Sequence, residues 1–259
     1  MSRVFITGST DGLGLMAARL LLKQGHNVVL HARHEQRAKE TETKLRGAEA
    51  IVTGDLSSIG ETIQLAEKLN KLVPFDAIIH NAAVGYREPK KIETSEGLPH
   101  LFAINSLAPY ILTCLVQPPK RLIYLSSSVH TSGDGTLKDL TWIERKWSGY
   151  NAYADSKLHD TILAFAIARK WTNVYSNAVD PGWVATKMGG AGAPDSLDEA
   201  PKTQVWLATS NDPKALVSGK YFYHQQERKA HPAASDEQIQ EQFLSECEKI
   251  SGIKLPMFS

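Results

Sequence analysis

The stretch RVFITGSTDGLGLMAARLLLKQG, residues 3–25, joins an apolar run, a glycine-rich loop and a helical pattern. The run Arg3–Thr7 is rich in branched and aromatic side chains, as in a strand covered on both faces. The loop TGSTDGLG, Thr7–Gly14, carries three glycines, and the segment after it has the apolar spacing of a helix. A strand that passes through a glycine loop into a helix is typical of an α/β sheet.

The same alternation continues along the chain. Short apolar runs predict further strands at residues 27–31, 50–54, 76–80, 121–126 and 173–179. Helical patterns between them include Glu35–Arg46, residues 57–73 and Tyr150–Trp171. We therefore expect an α/β Rossmann fold, a doubly wound parallel sheet with helices on both faces and right-handed crossovers. Because no linker divides the chain, we expect a single domain over residues 1–259.

Composition excludes several classes of function. The net charge of +1 does not favour nucleic acid or an anionic membrane as a partner. No apolar run approaches the roughly 20 residues that span a bilayer, and the first residues lack a signal-peptide pattern. Cys114 and Cys247 lie far apart without metal-ligand spacing, so we expect no metal site. These observations predict a cytoplasmic enzyme or binding protein without a membrane anchor.

The glycine loop predicts a dinucleotide site. Gly8, Gly12 and Gly14 would allow a tight turn, and the helix N-terminus after them would face a phosphate. The second strand ends in Ala32–Arg33 without the carboxylate that would bind a ribose 2′-hydroxyl. Since Arg33 suits a 2′-phosphate, the sequence favours NADP(H) over NAD(H). Asp11, within the loop, is expected to cap the helix.

Tyr153 and Lys157 are four residues apart in a predicted helix and therefore share a face. A free tyrosine titrates near 10, and a neighbouring ammonium lowers the pKa of the phenol. Such a tyrosine can exchange a proton with a carbonyl or alcohol oxygen. The alternative is a pair of solvated surface residues, because the spacing alone is common.

Five elements in order make the chain resemble the short-chain dehydrogenase/reductase family, from Arg3 to about Tyr223. In HNAAVG, His80 stands where the family has an asparagine and Ala83 where it has a glycine. The elements are TGSTDGLG (7–14), GDLSS (54–58), HNAAVG (80–85), YADSK (153–157) and DPGWVAT (180–186).

This resemblance implies an oxidoreductase that moves hydride between the nicotinamide and a carbonyl carbon. It places Asp55 at the adenine ring, Lys157 at the nicotinamide ribose, and Val184 and Thr186 at the carboxamide and phosphates. The implied cofactor-binding residues are Gly8, Ser9, Thr10, Gly12, Leu13, Gly14, Arg33, Asp55, Leu56, Asn81, Ala82, Tyr153, Lys157, Pro181, Gly182, Val184 and Thr186.

The implied catalytic residues are Asn105, Ser127, Tyr153 and Lys157. Tyr153 would act as general acid or base. Ser127 would hold the substrate oxygen, although Ser126 and Ser128 are adjacent alternatives. Asn105 would keep a water next to Lys157 and so connect the relay to solvent.

Longer segments resemble the retinol-dehydrogenase-like branch. They are an insertion before Tyr153, which contains Trp142 and Trp147, and a C-terminal helical extension over about residues 224–259. A substrate loop over about 187–200 follows Trp183. We expect Trp183 either to form an apolar wall of the pocket or to pack in the core or at the surface. Trp142 and Trp147 have the same two interpretations. Many retinoid-active members carry membrane anchors, so a retinoid substrate is not expected.

Three functions remain open at this stage. The first is an NADP(H)-dependent enzyme that interconverts a small-molecule carbonyl compound and an alcohol. The second is a nicotinamide-sensing binding protein without turnover, and the third is a reductase of an activated C=C bond. Apolar residues such as Ile162 and Phe165, expected at a helix surface, suggest a homodimer. A monomer is the alternative if the insertion and tail cover that surface.

Overall fold

The computed structural model describes residues 1–72 and 74–257. Within them, eight strands form one sheet in the order β3-β2-β1-β4-β5-β6-β7-β8. All neighbours are parallel except β7 and β8. The strands are β1 (Arg3–Ile6), β2 (Asn27–Ala32), β3 (Ala50–Thr53), β4 (Ala77–His80), β5 (Arg121–Leu125), β6 (Tyr175–Asp180), β7 (Lys220–Tyr223) and β8 (Gln226–Arg228).

The helices cover both faces of the sheet, as predicted. The helix expected at residues 57–73 is shorter, because Ser58 accepts a hydrogen bond from the Glu61 amide and begins it at Ile59. Residue 73 of that prediction lies outside the described residues. The helices are α1 (Gly12–Lys23), α2 (Glu35–Lys44), α3 (Ile59–Asn70), α4 (His100–Phe102), α5 (Ala108–Leu115), α6 (Gly149–Lys170), α7 (Lys202–Thr209), α8 (Pro232–Ser235) and α9 (Glu237–Ser251).

The strand order reverses between β1 and β4, and this reversal positions the site. From β1 the chain moves outward to β2 and β3, then returns to the other side of β1 as β4. Crevices at such switch points, beyond the carboxyl ends of the strands, are where doubly wound sheets bind ligands. The glycine loop after β1 and the segment after β4 meet at this point.

The edge strand β8 was absent from the prediction. It forms a hairpin with β7, and the two turn residues His224 and Gln225 have φ angles of 48° and 60°. Two-residue hairpin turns require positive φ and usually contain glycine or asparagine. Because neither residue is of that type, the sequence carried no hairpin signal.

Helix α6 is buried on almost every side, so Tyr153 and Lys157 are not the pair of solvated surface residues considered as the alternative. Its buried residues include the polar side chains of Asp155, Lys157, His159 and Asp160. Ile162, expected at the surface, is fully buried. The sheet covers one side of α6, and the tail helices α8 and α9 cover another. The face suggested for a dimer is therefore occupied in part by the chain's own tail, while Phe165 is half-buried.

Contacts between α6 and α9 show how the tail is held. The ring of His159 stacks on Phe243 with centroids 5.1 Å apart, and its Nδ1 lies 3.0 Å from Ser106 Oγ. Arg169 Nε donates to Gln240 Oε1 at 2.8 Å. His159 thus has a packing role between α6 and the tail helix α9. The extension predicted at 224–259 begins with strand β8 and is helical at Pro232–Ser235 and Glu237–Ser251. Residues 258–259 lie outside the described part.

The insertion before α6 is folded around Arg145. The guanidinium lies 3.9 Å from the centre of the Trp142 ring and pairs with Asp155 at 2.9 Å. Trp142 is buried and packs edge-on against Trp147, whose Nε1 donates to the Glu88 carbonyl at 3.0 Å. These contacts favour the packing interpretation for both tryptophans.

None of the helices in residues 1–72 and 74–257 is long and apolar enough to cross a membrane.

Buried histidines should make the fold sensitive to acid. Burial lowers the pKa of His31 to about 4, and that of His80 to about 3. Between pH 6.5 and pH 4 the unfolded chain therefore binds protons that the folded chain does not, so stability falls as pH falls. At pH 5, each such histidine lowers the free energy of unfolding by about 2 kcal/mol relative to neutral pH.

Lowering the pH from 7.5 to 5 should decrease the free energy of unfolding of wild type. We predict that this decrease is smaller by about 2 kcal/mol in His80→Asn. Chemical unfolding of both proteins at the two pH values measures this difference. His34→Asn, at an exposed position, is the control and should leave the loss unchanged. An equal loss in wild type and His80→Asn would contradict the prediction.

Candidate active site

The glycine loop is pressed against the segment after β4. A Cβ on Gly8, whose φ is +62°, would lie 2.9 Å from Ala82. One on Gly14 would lie 2.5 Å from Asn81 Nδ2, so neither position accepts a larger residue without displacement. Asn81 Nδ2 donates to the carbonyl oxygens of Thr7 and Gly8 at 2.9 and 3.1 Å. The loop is thus tied to β4, and the N-terminus of α1 faces the crevice.

Asp11 caps α1, as predicted. Its Oδ1 accepts a hydrogen bond from the Gly12 amide at 2.9 Å, and its other oxygen pairs with Lys187 of the substrate loop. The pKa of Asp11 is lowered chiefly by the Lys187 hydrogen bond, against the effect of burial. Asp11 therefore joins the glycine loop to the loop after β6.

A groove of about 530 Å³ lies over this crevice. The sequence prediction placed ten of its lining residues at the cofactor: Gly8, Thr10, Gly12, Leu13, Arg33, Asp55, Leu56, Asn81, Ala82 and Thr186. Ser9 lies beneath the loop, where its Oγ donates to the Ile6 carbonyl and accepts from the His31 amide. Tyr153, Pro181, Gly182 and Val184 line the adjoining pocket instead.

The far end of the groove carries two arginines. Arg33, 61% exposed, pairs with Asp55 at 2.8 Å. Burial raises the pKa of Asp55, but hydrogen bonds from Ser57 and Arg33 outweigh it and hold that pKa below its ordinary value. Arg37 lies 3.5 Å from Thr10 Oγ1 and 3.6 Å from Asp11 Oδ2. The sequence analysis missed Arg37, although its position in the first turn of the helix after β2 was a usable signal.

A second cavity of about 340 Å³ adjoins the groove and brings Ser127 and Tyr153 together. Ser126 is buried and bonds to the Lys157 carbonyl at 2.8 Å and to Thr161 Oγ1 at 2.9 Å. Ser128 is exposed and starts a short 3₁₀ turn. Since the hydroxyl of Ser126 is committed to α6, the geometry favours Ser127 for the role predicted from the resemblance.

The side chain of Tyr153 lines the wall of this cavity. Its hydroxyl lies 3.8 Å from Met188 Sδ, and its ring lies 5.8 Å from that of Tyr86. Burial raises the pKa of the Tyr153 phenol, and the charge of Lys157 opposes this rise. The phenol therefore carries its proton at neutral pH and is placed to act as an acid.

Lys157 lies beneath the Tyr153 ring, with Nζ 5.7 Å from the ring centroid. Its ammonium donates to the Leu125 carbonyl at 2.7 Å and to Asp160 Oδ2 at 2.9 Å. Burial lowers the pKa of Lys157, but Asp160 and Tyr153 outweigh it and hold that pKa above its ordinary value. Lys157 lines neither cavity, and Asp160 had no role in the sequence analysis.

Asn105 sits in a π-helical turn, Ala103–Leu107, between α4 and α5. Its Oδ1 accepts from the Val84 amide at 2.8 Å, and its Nδ2 donates to the Val84 carbonyl and to Ser156 Oγ. π-Turns within α-helices often mark functional sites. The side chain thus ties the segment after β4 to α6, one residue from Lys157. The water proposed next to Lys157 stays a prediction.

The substrate loop folds over both cavities. Asp195 accepts from the Trp183 amide at 2.6 Å and donates its own amide to the Trp183 carbonyl at 3.0 Å. Trp183 is 55% exposed, lines the pocket and donates from Nε1 to the Gly189 carbonyl. Met188 lines both cavities. The site residues Met188 and Tyr86 were not predicted. Met188 lies on this loop and Tyr86 on the loop after β4, and the path of neither loop follows from a sequence period.

No group of three or more histidine, cysteine, aspartate or glutamate side chains is arranged to hold a metal ion within residues 1–72 and 74–257.

The structure resembles solved proteins of this fold. It superposes on a crystal structure of an uncharacterized protein from Mycobacterium paratuberculosis with a TM-score of 0.85 and 22% identity, covering 99% of this chain and 96% of that one. An NADPH-bound carbonyl reductase from chicken fatty liver aligns with a TM-score of 0.67 and 20% identity, over 89% of this chain and 99% of the other. At these identities the likeness supports the fold alone.

Other relatives share a higher sequence identity with this chain than these solved structures do. An uncharacterized oxidoreductase of Emericella nidulans is 46% identical over 99% of both chains. The short-chain dehydrogenase chyC of Penicillium rubens is 43% identical over 99% of this chain and all of its own. Mouse retinol dehydrogenase 13 is 28% identical over 97% of this chain and 84% of its own.

The sequence model of the short chain dehydrogenase family matches residues 2–128, which contain the glycine loop and the segment after β4. Together with the two relatives above 40% identity, this match agrees with the fold and with the paired cavities at the switch point. The chain is an oxidoreductase that belongs to the short-chain dehydrogenase/reductase family.

Proposed function

We propose that this protein is an NADP(H)-dependent carbonyl reductase of cytoplasmic, single-domain type, with Tyr153 as its general acid. One observation carries the proposal. Ser127 and Tyr153 face the same cavity, which adjoins the groove over the glycine loop, and Lys157 lies beneath Tyr153. A protein that only senses nicotinamide needs the groove but has no use for this arrangement.

The groove fits a dinucleotide. Gly8 and Gly14 leave no room for a Cβ, which holds the glycine loop close against the segment after β4, and both segments line the groove. The amides of the first turn of α1 have no partner within the helix and favour an anion there. Arg33 and Arg37 would hold a 2′-phosphate at the far end, and Thr186 would lie at the near end. A bound nicotinamide cofactor would supply the hydride.

The chain's own residues would supply positioning and the proton. Ser127 Oγ would donate a hydrogen bond to the carbonyl oxygen and hold it beside the Tyr153 hydroxyl. Tyr153 would then give its proton to that oxygen as the alcohol forms. Burial keeps the phenol protonated at neutral pH, which is the form that carbonyl reduction requires. Lys157 would offset the negative charge that remains on the phenolate.

The walls of the cavity indicate the class of substrate. Tyr86, Tyr150, Trp183, Val129 and Met188 give it a largely apolar, aromatic surface. A cavity of about 340 Å³ lies at the lower end of the range for small-molecule sites. We infer a compact ketone or aldehyde with an apolar or aromatic body. An enone panel beside saturated ketones would distinguish C=O from C=C reduction.

Tyr153→Phe should reduce carbonyl turnover by about 10²- to 10⁴-fold, because it removes the proton donor and keeps the ring. NADPH oxidation over a panel of aldehydes and ketones measures turnover, and a fluorescence titration measures NADPH affinity. Affinity should change little. Tyr175→Phe, at the opposite end of the sheet, is the matched control. Equal turnover in Tyr153→Phe and wild type would contradict the assigned acid.

Arg33→Ala combined with Arg37→Ala should weaken NADPH binding by about 10- to 100-fold and leave NADH binding nearly unchanged. The reason is the loss of charge-assisted hydrogen bonds of about 1.5–3 kcal/mol to the 2′-phosphate. Dissociation constants for both nucleotides test this. Arg46→Ala, exposed and outside the groove, is the control. Equal losses for NADH and NADPH would show that the arginines do not read the 2′-phosphate.

A further inference from the structure

Three ionisable residues form one row inside α6. Tyr153, Lys157 and Asp160 are spaced at i, i+4 and i+7, which places them along one face of the helix. Lys157 and Asp160 have side chains that are each 3% exposed, and Nζ lies 2.9 Å from Oδ2. The row therefore begins at the catalytic pocket and ends in the protein interior.

A lysine in this position needs a nearby negative charge. An isolated ammonium is expelled from a dry interior or loses its proton, and buried lysines can titrate several pH units below their ordinary value. The Leu125 carbonyl satisfies one N–H of Lys157 but contributes no full charge. Asp160 is the carboxylate in contact with the ammonium. Burial raises the pKa of Asp160 to about 7, and the charge and hydrogen bond of Lys157 oppose that rise.

The other groups around the row do not replace Asp160. Tyr124 of β5 lies near Asp160 and bonds to Thr113 Oγ1 at 2.8 Å. The charges of Asp180 of β6 and Tyr86 of the loop after β4 raise the pKa of Tyr153. The Asp180 carboxylate accepts from the Gly182 amide at 2.9 Å, on the pocket side. Near the ammonium, the remaining polar side chains Ser126 and Thr161 are neutral and bonded to each other.

We propose that Asp160 is a positioning residue of the proton relay, and that its buried carboxylate keeps the Lys157 ammonium charged and fixed beneath Tyr153. The relay role rests on the function proposed above. Asp160 touches neither cavity, so it acts through Lys157 alone.

The proposal makes the charge of Lys157 depend on residue 160. With Asp160 present, burial lowers the pKa of Lys157 but the carboxylate more than offsets this effect. With a neutral amide at residue 160, burial lowers the pKa of Lys157 with almost no opposing charge. Lys157 should then lose its proton near neutral pH, and the phenolate of Tyr153 should lose its counter-charge.

The direct test is the titration of Lys157 in Asp160→Asn, followed by NMR of protein labelled at the lysine Cε carbons. The Lys157 signal is assigned as the one missing from Lys157→Met. We expect its midpoint to fall by about two pH units or more relative to wild type. Asp160→Glu keeps the charge and should restore a high midpoint. Thr161→Val, a buried change without charge on the same helix, should leave it unmoved.

A kinetic readout follows the same change. In Asp160→Asn, kcat/KM for carbonyl reduction should decline as pH rises through the new midpoint of Lys157. Wild type should lack this decline, because Asp160 holds the pKa of Lys157 above its ordinary value. A midpoint and profile equal to those of wild type would overturn the proposal. The NMR titration needs neither cofactor nor substrate. A lowered midpoint with no wild-type turnover would therefore overturn the proposed function and still support the dependence of Lys157 on Asp160.

Folding of the variant is checked by thermal unfolding. If Asp160→Asn does not fold, the double variant Lys157→Met/Asp160→Asn replaces it. Recovery of a folded protein would show that the unpaired ammonium caused the failure, as the proposal requires. A double variant that also fails to fold would overturn it.

Discussion

The burial of α6 is the constraint on which the rest of this structure depends. A helix that carries Lys157, Asp160 and Asp155 would ordinarily show those side chains to water. Here the sheet, the insertion and the tail enclose it, so each charge must find its partner inside the protein. The ion pairs formed there fix the helix, and the helix fixes Tyr153 at the wall of the pocket. The catalytic geometry and the packing are thus a single arrangement.

Much of the fold could be predicted from local patterns. Buried parallel strands are short apolar runs, and six of the eight strands were anticipated in this way together with the helices between them. The glycine loop was also predictable, because close contact with Asn81 and Ala82 leaves room only for glycine at two of its positions. The cofactor groove followed from that loop and from Arg33. The resemblance to a family supplied Ser127, Asn105 and the order of the motifs.

What the sequence did not reveal depends on contacts between distant segments. Met188 reaches the pocket because the loop after β6 folds back, and Tyr86 reaches it from the loop after β4. No periodicity encodes either path. Arg37 looked like one charge among many on a polar helix. The polarity of α6 suggested a surface helix, since the tail that covers it lies some 80 residues further along the chain (Asp160 against residues 237–251). Asp160 was overlooked for the same reason.

The late position of α9 has a consequence for how the protein is made. During synthesis the strands β1–β6 and α6 leave the ribosome before residues 237–251 exist. Until then Phe243, which stacks on His159, and Gln240, which bonds to Arg169, are missing. One side of α6 therefore remains exposed to solvent. The packing of α6 on its His159 side, away from Lys157, is therefore completed last. The nascent chain can form the glycine loop and the strands around it early, but α6 reaches its final packing only when the last helix docks.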